Sequence, residues 1–123
     1  MGNKIYNNLN IENLIKTEWF NQFNFFQKLE INKGIEANID ASIYATPEYS
    51  DEQMAQIRKG LEANLDVSWY ANPEFGWGKM DEIRLGLEEN IDVSQYANSD
   101  LNWWQMAGVR EKLLEEKENR ENE

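Results

Sequence analysis

Three Asp-x-Ser triplets, Asp40/Ser42, Asp66/Ser68 and Asp92/Ser94, are the residues of this chain that look most like chemistry. A carboxylate two residues from a hydroxyl is a fragment of an oxygen-rich cation or phosphate site. The further oxygen ligands and the glycine of a calcium loop are missing around each triplet. Neither His nor Cys occurs anywhere, so a transition metal lacks its usual ligands and acid–base catalysis lacks its commonest group. Three identical triplets fit a structural task better: each Asp caps the first turn of a short helix. Arg58, Arg84 and Arg110 form a second regular set that would suit phosphate or a partner's carboxylate. In an acidic chain they are expected to pair with Glu62 and Glu88 one turn on, or with acids of a neighbouring segment. A hydrolase working with two carboxylates on opposing walls is the enzyme alternative. No acid is singled out beside an apolar pocket, and three equivalent copies make a unique active site improbable. The expectation is a protein with no catalytic residue, no cofactor and no metal.

The triplets belong to a longer sentence. Gly60 to Arg84 reads GLEANLDVSWYANPEFGWGKMDEIR; close versions run from Gly34 to Arg58 and from Gly86 to Arg110. Gly34/60/86, Asn38/64/90, Asp40/66/92, Tyr44/70/96, Met54/80/106 and Arg58/84/110 all recur at 26 residues. A fixed period of this size is the mark of a stacked repeat architecture. The expected fold is all-α, a short array of stacked helix pairs with an N-terminal capping copy and a C-terminal helix. Residues 1–9 read as a loose lead-in, 10–33 as a worn capping copy, and 34–59, 60–85 and 86–111 as full copies. A terminal helix is expected over 103–118 and a frayed acidic tail over 119–123, within a single domain spanning 10–118.

Local signals fill in each copy. Ser50 with Gln53, Asn24 with Gln27 and Asn102 with Gln105 read as capping boxes, and Gly76 as a weaker cap. A further short helix, capped by Asn10, is expected from Ile11, Leu14 and Ile15. Met54, Ile57, Leu61 and Leu65 share one helix face, as do Met80, Ile83, Leu87 and Ile91. Glycine at one phase of a helix predicts close helix–helix approach there, or a bend. Asn38, Asn64 and Asn90 predict left-handed helix ends. After each, a second and shorter helix would pack residues such as Val67, Tyr70 and Ala71 inward and be stopped by Pro47 or Pro73.

Charge and composition limit the partners. With 23 acidic and 12 basic residues the net charge is −11, which opposes direct binding to nucleic acid or anionic membranes. Absent cysteine excludes a disulfide framework. The start MGNKIYNN has no apolar signal-peptide core, no 18-residue apolar run follows, and Tyr6 breaks the myristoylation pattern. A soluble cytoplasmic protein is the expectation.

Three copies in one chain separate scaffold from working surface. Positions kept in every copy serve the unit; positions that differ are free for other tasks. One phase holds Ile43, Trp69 and Gln95; another Asp51, Trp77 and Trp103; the next Glu52, Gly78 and Trp104; a further one Lys59, Leu85 and Glu111. Large apolar residues where sister copies carry charge are expected at the surface. Trp69, Trp104, Trp77, Trp103, Ile43 and Leu85 are therefore the candidate partner-binding residues. Against this, Trp77 and Trp103 would fold over the turn as extra core.

The motif G-[IL]-E-x-N-[IL]-D-[AV]-S-x-Y-A-x-[PS]-[ED], followed by M-x-x-[IV]-R, resembles a short helical repeat of poorly characterised proteins from low-GC bacteria, phages and mobile elements. The resemblance covers about Gly34 to Arg110 and carries no catalytic residues. It implies a non-catalytic protein-binding module acting as a phage or mobile-element inhibitor of a host protein such as a defence nuclease, similar in size and acidity to anti-CRISPR proteins. The expected partner is another protein, including a basic nucleic-acid-binding protein or nuclease. The alternatives are an acidic nucleic-acid mimic in a basic groove, a self-associating module such as a homodimer, and a small-ligand binder with Trp stacking between copies.

Overall fold

The computed structural model describes residues 17–98 and 100–122. The lead-in 1–9, the Asn10-capped helix, Ser99 and Glu123 lie outside the described residues. The fold is all-α, and among the described residues there is no strand. In chain order come α1 (Glu18–Asn21), α2 (Phe25–Glu36), α3 (Asp51–Glu62), α4 (Trp77–Glu88) and α5 (Trp103–Glu121). Short 3-10 segments follow the middle three helices at Ala41–Ile43, Val67–Trp69 and Val93–Gln95.

Each boundary has a local cause. Asn24, Ser50 and Asn102 accept the N–H of Gln27, Gln53 and Gln105, and each glutamine returns a bond to the cap's own N–H. Gly76 opens α4 without a side-chain cap. At the far ends, Asn38, Asn64 and Asn90 adopt φ of 63°, 59° and 60°. That turn brings the N–H of Ile39, Leu65 and Ile91 back to the carbonyls of Gly34, Gly60 and Gly86 at 3.1, 2.9 and 3.1 Å. This is the Schellman closure, with Asn taking the place glycine usually fills.

The chain then re-enters the core. Asp40, Asp66 and Asp92 cap the 3-10 segments through the N–H of Ser42, Ser68 and Ser94. The expected second helix is thus a single 3-10 turn. Its end does not depend on proline: Val93–Gln95 stops at the same phase as the segments followed by Pro47 and Pro73, although no proline follows it. Tyr44, Tyr70 and Tyr96 come next and are fully buried. Their hydroxyls donate to the carbonyls of Glu30, Gln56 and Glu82 at 2.6, 2.6 and 2.8 Å. Those carbonyls sit one turn before Gly34, Gly60 and Gly86, and a Cβ on any of the three glycines would strike the tyrosine hydroxyl. The glycine is explained by close approach, but not of a neighbouring long helix as expected: the following 3-10 turn and its tyrosine ring fold back onto it.

Between helices the contacts keep one register. Gln27 Nε2 donates to the Tyr49 carbonyl at 2.7 Å, and Gln53 Nε2 to that of Phe75 at 2.6 Å. Further along, Arg58, Arg84 and Arg110 each donate Nε–H to residue 30, 56 or 82 on the preceding helix, at 2.8, 2.9 and 2.8 Å. Starts meet starts and later turns meet later turns, so α2 to α5 run parallel. Each long helix packs against the next, and segments such as 63–76 carry the chain back. Met54, Ile57, Met80, Ile83 and Met106 are fully buried in the seams, while Leu61 and Leu87 pack half-buried against them.

The last helix departs from the expected boundary and continues through Glu121. At the phases that end the others, Glu116 stands for Asn, Glu118 for Asp and Arg120 for Ser. None of them offers the left-handed turn or the cap, so α5 has no local signal to stop. Lys117, which donates to the Glu89 carbonyl at 2.7 Å, ties the extension to the previous copy.

Candidate binding edge

The chemical-looking residues are absorbed by the scaffold. In each triplet Asp Oδ1 accepts both the backbone N–H and the hydroxyl of the serine, at 3.1 and 2.6 Å for Ser94. The Ser94 hydroxyl and N–H together hold the Asp92 carboxyl below the usual aspartate range. The arginines form internal ion pairs: Arg58 with Glu30 and Glu62, Arg84 with Asp81 and Glu88, Arg110 with Glu82 and Glu89. Burial works against the charge on Arg58 and Arg110, but the flanking carboxylates outweigh it and raise both guanidinium pKa values. Gln56 replaces the buried acid in the middle seam and still accepts from Arg84. Burial also pushes the phenol pKa of Tyr44, Tyr70 and Tyr96 upward.

What remains exposed and apolar lies mostly on one edge. The first two residues of α2 to α5 are Phe25–Phe26, Asp51–Glu52, Trp77–Gly78 and Trp103–Trp104. Phe25 and Trp104 are 66% and 61% exposed; Phe26, Trp77 and Trp103 are more than half exposed as well. Trp103 leans from α5 onto the face left bare by Gly78, whose Cβ position lies 3.5 Å from the Trp103 Cγ. Trp104 meets Trp103 edge-on at 5.8 Å between centroids, and Phe25 meets Phe26 likewise at 5.3 Å. Gly78, Trp103 and Trp104 thus make one continuous strip that begins next to Trp77 in the chain, with the phenylalanines two helices away at the same helix starts.

Local preference does not explain these aromatics. Helix N-termini favour acids, which complement the positive end of the helix dipole. Asp51 and Glu52 follow that preference; the other three helices forgo it. Three residues before the starts of α3, α4 and α5 stand Glu48, Glu74 and Asp100, all exposed. The turns that present Glu74 and Asp100 are fixed by the Asn72 and Asn98 side chains, which accept their N–H groups at 2.9 Å.

The six residues singled out in the sequence do not form one surface. Trp77, Trp103 and Trp104 share the edge. Trp69 and Ile43 are exposed, but they close the 3-10 segments packed by the C-terminal halves of α3 and α2, where Val67 abuts Gly60. Leu85 is half-buried in α4 rather than exposed. Phe25 and Phe26 were missed. Extending the phase comparison back by 26 residues, from Asp51 and Glu52 into the worn copy, finds them.

Two further features bear on ligands. A cleft of about 160 Å³ lies between the last 3-10 segment and α5, lined by Asp92, Gln95, Leu113, Glu116, Lys117 and Arg120 among others. No tryptophan lines it, so it does not offer the stacking site a small-ligand reading requires. Among the described residues, no helix is long and apolar enough to cross a membrane. No known family model matches the chain, and no curated protein or solved structure matches it.

Proposed function

We propose that the chain is a non-catalytic binding module that grips another protein along the edge formed by Trp77, Trp103 and Trp104, extended by Phe25 and Phe26. One observation carries this reading: aromatics stand exposed at helix starts where local physics favours acids. Tryptophan at the centre of an interface supplies large contact area and is enriched among residues that dominate binding energy. The polar residues with recurring chemistry are engaged in caps and ion pairs, and the edge carries five of the eight large apolar side chains that stand exposed among the described residues. Reading the chain as a stacked array rests on the common step of its contacts, from Gln27–Tyr49 to Gln53–Phe75. The narrower proposal of a phage or mobile-element inhibitor acting in the cytoplasm rests on the sequence resemblance alone.

The test is a pull-down with tagged full-length protein, run beside a Trp103→Ala/Trp104→Ala variant shown by circular dichroism to be fully folded at the assay temperature. A protein held in stoichiometric amount by the wild type and lost by the variant supports the module. The same proteins on both columns would place the binding surface elsewhere and overturn the reading.

A further inference from the structure

The binding edge has a pitch as well as a composition. Adjacent packed helices lie about 8–10 Å apart, and the seam contacts step from α2 to α5 in one register. Successive helix starts therefore present Phe25–Phe26, Asp51–Glu52, Trp77 and Trp103–Trp104 at that interval. A polyproline II helix rises about 3.1 Å per residue with three residues per turn, so every third side chain returns to one face after about 9.3 Å. A β-strand matches the distance over three residues but turns the third side chain to the opposite face. The edge fits the first geometry and not the second.

Charge selects among such segments. Exposed Glu48, Glu74 and Asp100 each precede a helix start by three residues, so an acid recurs at the same step as the helix starts, and the net charge is −11. In a polyproline II segment the residue after each apolar position faces to one side of the contact line. A basic residue there would meet the acids, while Asp51 and Glu52 interrupt the aromatics at one step and would attract a cation there. Tryptophan faces take both proline rings and, through cation–π attraction, guanidinium groups.

We infer that the edge binds a proline-rich basic segment of a partner protein in the polyproline II conformation, prolines on the aromatics and arginines or lysines on the acids. This rests on the proposed function above and narrows its partner to one chemistry.

The probe is a fluorescein-labelled peptide of four Pro-Arg-Pro units, titrated with the full-length protein and read by anisotropy. Controls are an isomer with its four arginines grouped at one end and a peptide of four Pro-Glu-Pro units. Expected results are saturable binding of the first peptide and at least tenfold weaker binding of the grouped isomer. The glutamate peptide should not bind. Trp103→Ala/Trp104→Ala should weaken the first peptide at least tenfold, and Glu74→Gln/Asp100→Asn about threefold, with a marked weakening by salt. Equal affinity for the grouped isomer would mean that charge alone drives binding and would overturn the inference. No binding of the first peptide would overturn it too. In either case a partner captured by the wild type and lost by the tryptophan variant leaves the binding module standing. Capture indifferent to the tryptophans removes both.

Discussion

The two ends of each long helix obey different rules. At the C-terminal ends of α2, α3 and α4, glycine, asparagine, aspartate, serine and tyrosine recur without exception, and the left-handed turn, the Asp–Ser cap and the tyrosine–carbonyl bond form each time. At the N-terminal ends of α2 to α5 the first two residues are Phe–Phe, Asp–Glu, Trp–Gly and Trp–Trp. The constant end is over-determined: the tyrosine hydroxyl needs its carbonyl, and reaching it needs a glycine. The variable end is under-determined, because a capping box or even Gly76 starts the helix whatever follows. Within one chain, sameness marks what the unit needs in order to close. Difference marks where a residue was free to serve something outside it.

The constant end should break most severely. Gly60→Ala places a methyl group against the Tyr70 hydroxyl and 2.7 Å from Val67 Cγ1. Ala is favoured over Gly in a helix by about 1 kcal/mol, but overpacking a fixed ring costs about 1–3 kcal/mol and at times more. Because both Tyr70 and Val67 are struck, the net expectation is toward the upper end of that difference, a loss of about 1–2 kcal/mol in urea unfolding. Adding Tyr70→Phe removes the hydroxyl and should restore part of that loss, a coupling that independent sites would not show. Gly34→Ala should be milder, because Ala41 stands where Val67 does and its Cβ lies 3.3 Å from the added atom. Additive single and double variants at 60 and 70 would sink this account of the glycine.

The same tyrosines set a pH limit. Burial raises their phenol pKa above the usual value of about 10, so the folded state keeps protons that the unfolded state releases. Their contribution is complete below pH 10 and lost as pH rises through the folded values. In that window each ring lowers unfolding free energy by up to about 1.4 kcal/mol per pH unit. Tyr70→Phe should cost about 1 kcal/mol at pH 8 and should flatten the fall between pH 10 and 11 by one ring's share. Urea titrations of both proteins at pH 8, 10 and 11 give the two slopes. Equal slopes would mean that Tyr70 ionises without unfolding the chain.

How far the sequence discloses this molecule follows the same divide. Capping boxes, left-handed asparagines and core methionines are local, and a few residues of context suffice to read them. The glycine phase reads as close approach between helices, but the group that approaches is Tyr70 with Val67, ten and seven residues further along the same chain. Where local signals are missing the reading falters: nothing in EEKENRE says that α5 runs on through Glu121, because only the absence of Asn, Asp and Ser at the right phases implies it. On the edge, comparison of copies found Trp77, Trp103 and Trp104 as surface residues. It could not separate them from Trp69, since phase gives a position along the unit and not which end of the helix that position faces. Leu85 shows the opposite error, an apolar residue at a charged phase that the structure half-buries.

The smallest expected effect is the one that tests the divide most directly. If the edge aromatics are surplus to folding, replacing them should leave stability nearly unchanged. Trp104→Glu removes a ring that is 61% exposed and sets an acid in the first turn of α5, where the dipole favours it by about 0.3–1 kcal/mol. The lost packing on Trp103 is of similar size, so the sum should fall within about 0.5 kcal/mol of zero. Trp103→Glu should cost more, about 1 kcal/mol, because that ring also covers Gly78. Urea midpoints of the two variants measure both. A loss above about 2 kcal/mol from Trp104→Glu would make that ring part of the scaffold, and the contrast between the two ends of the helices would no longer point to a working surface.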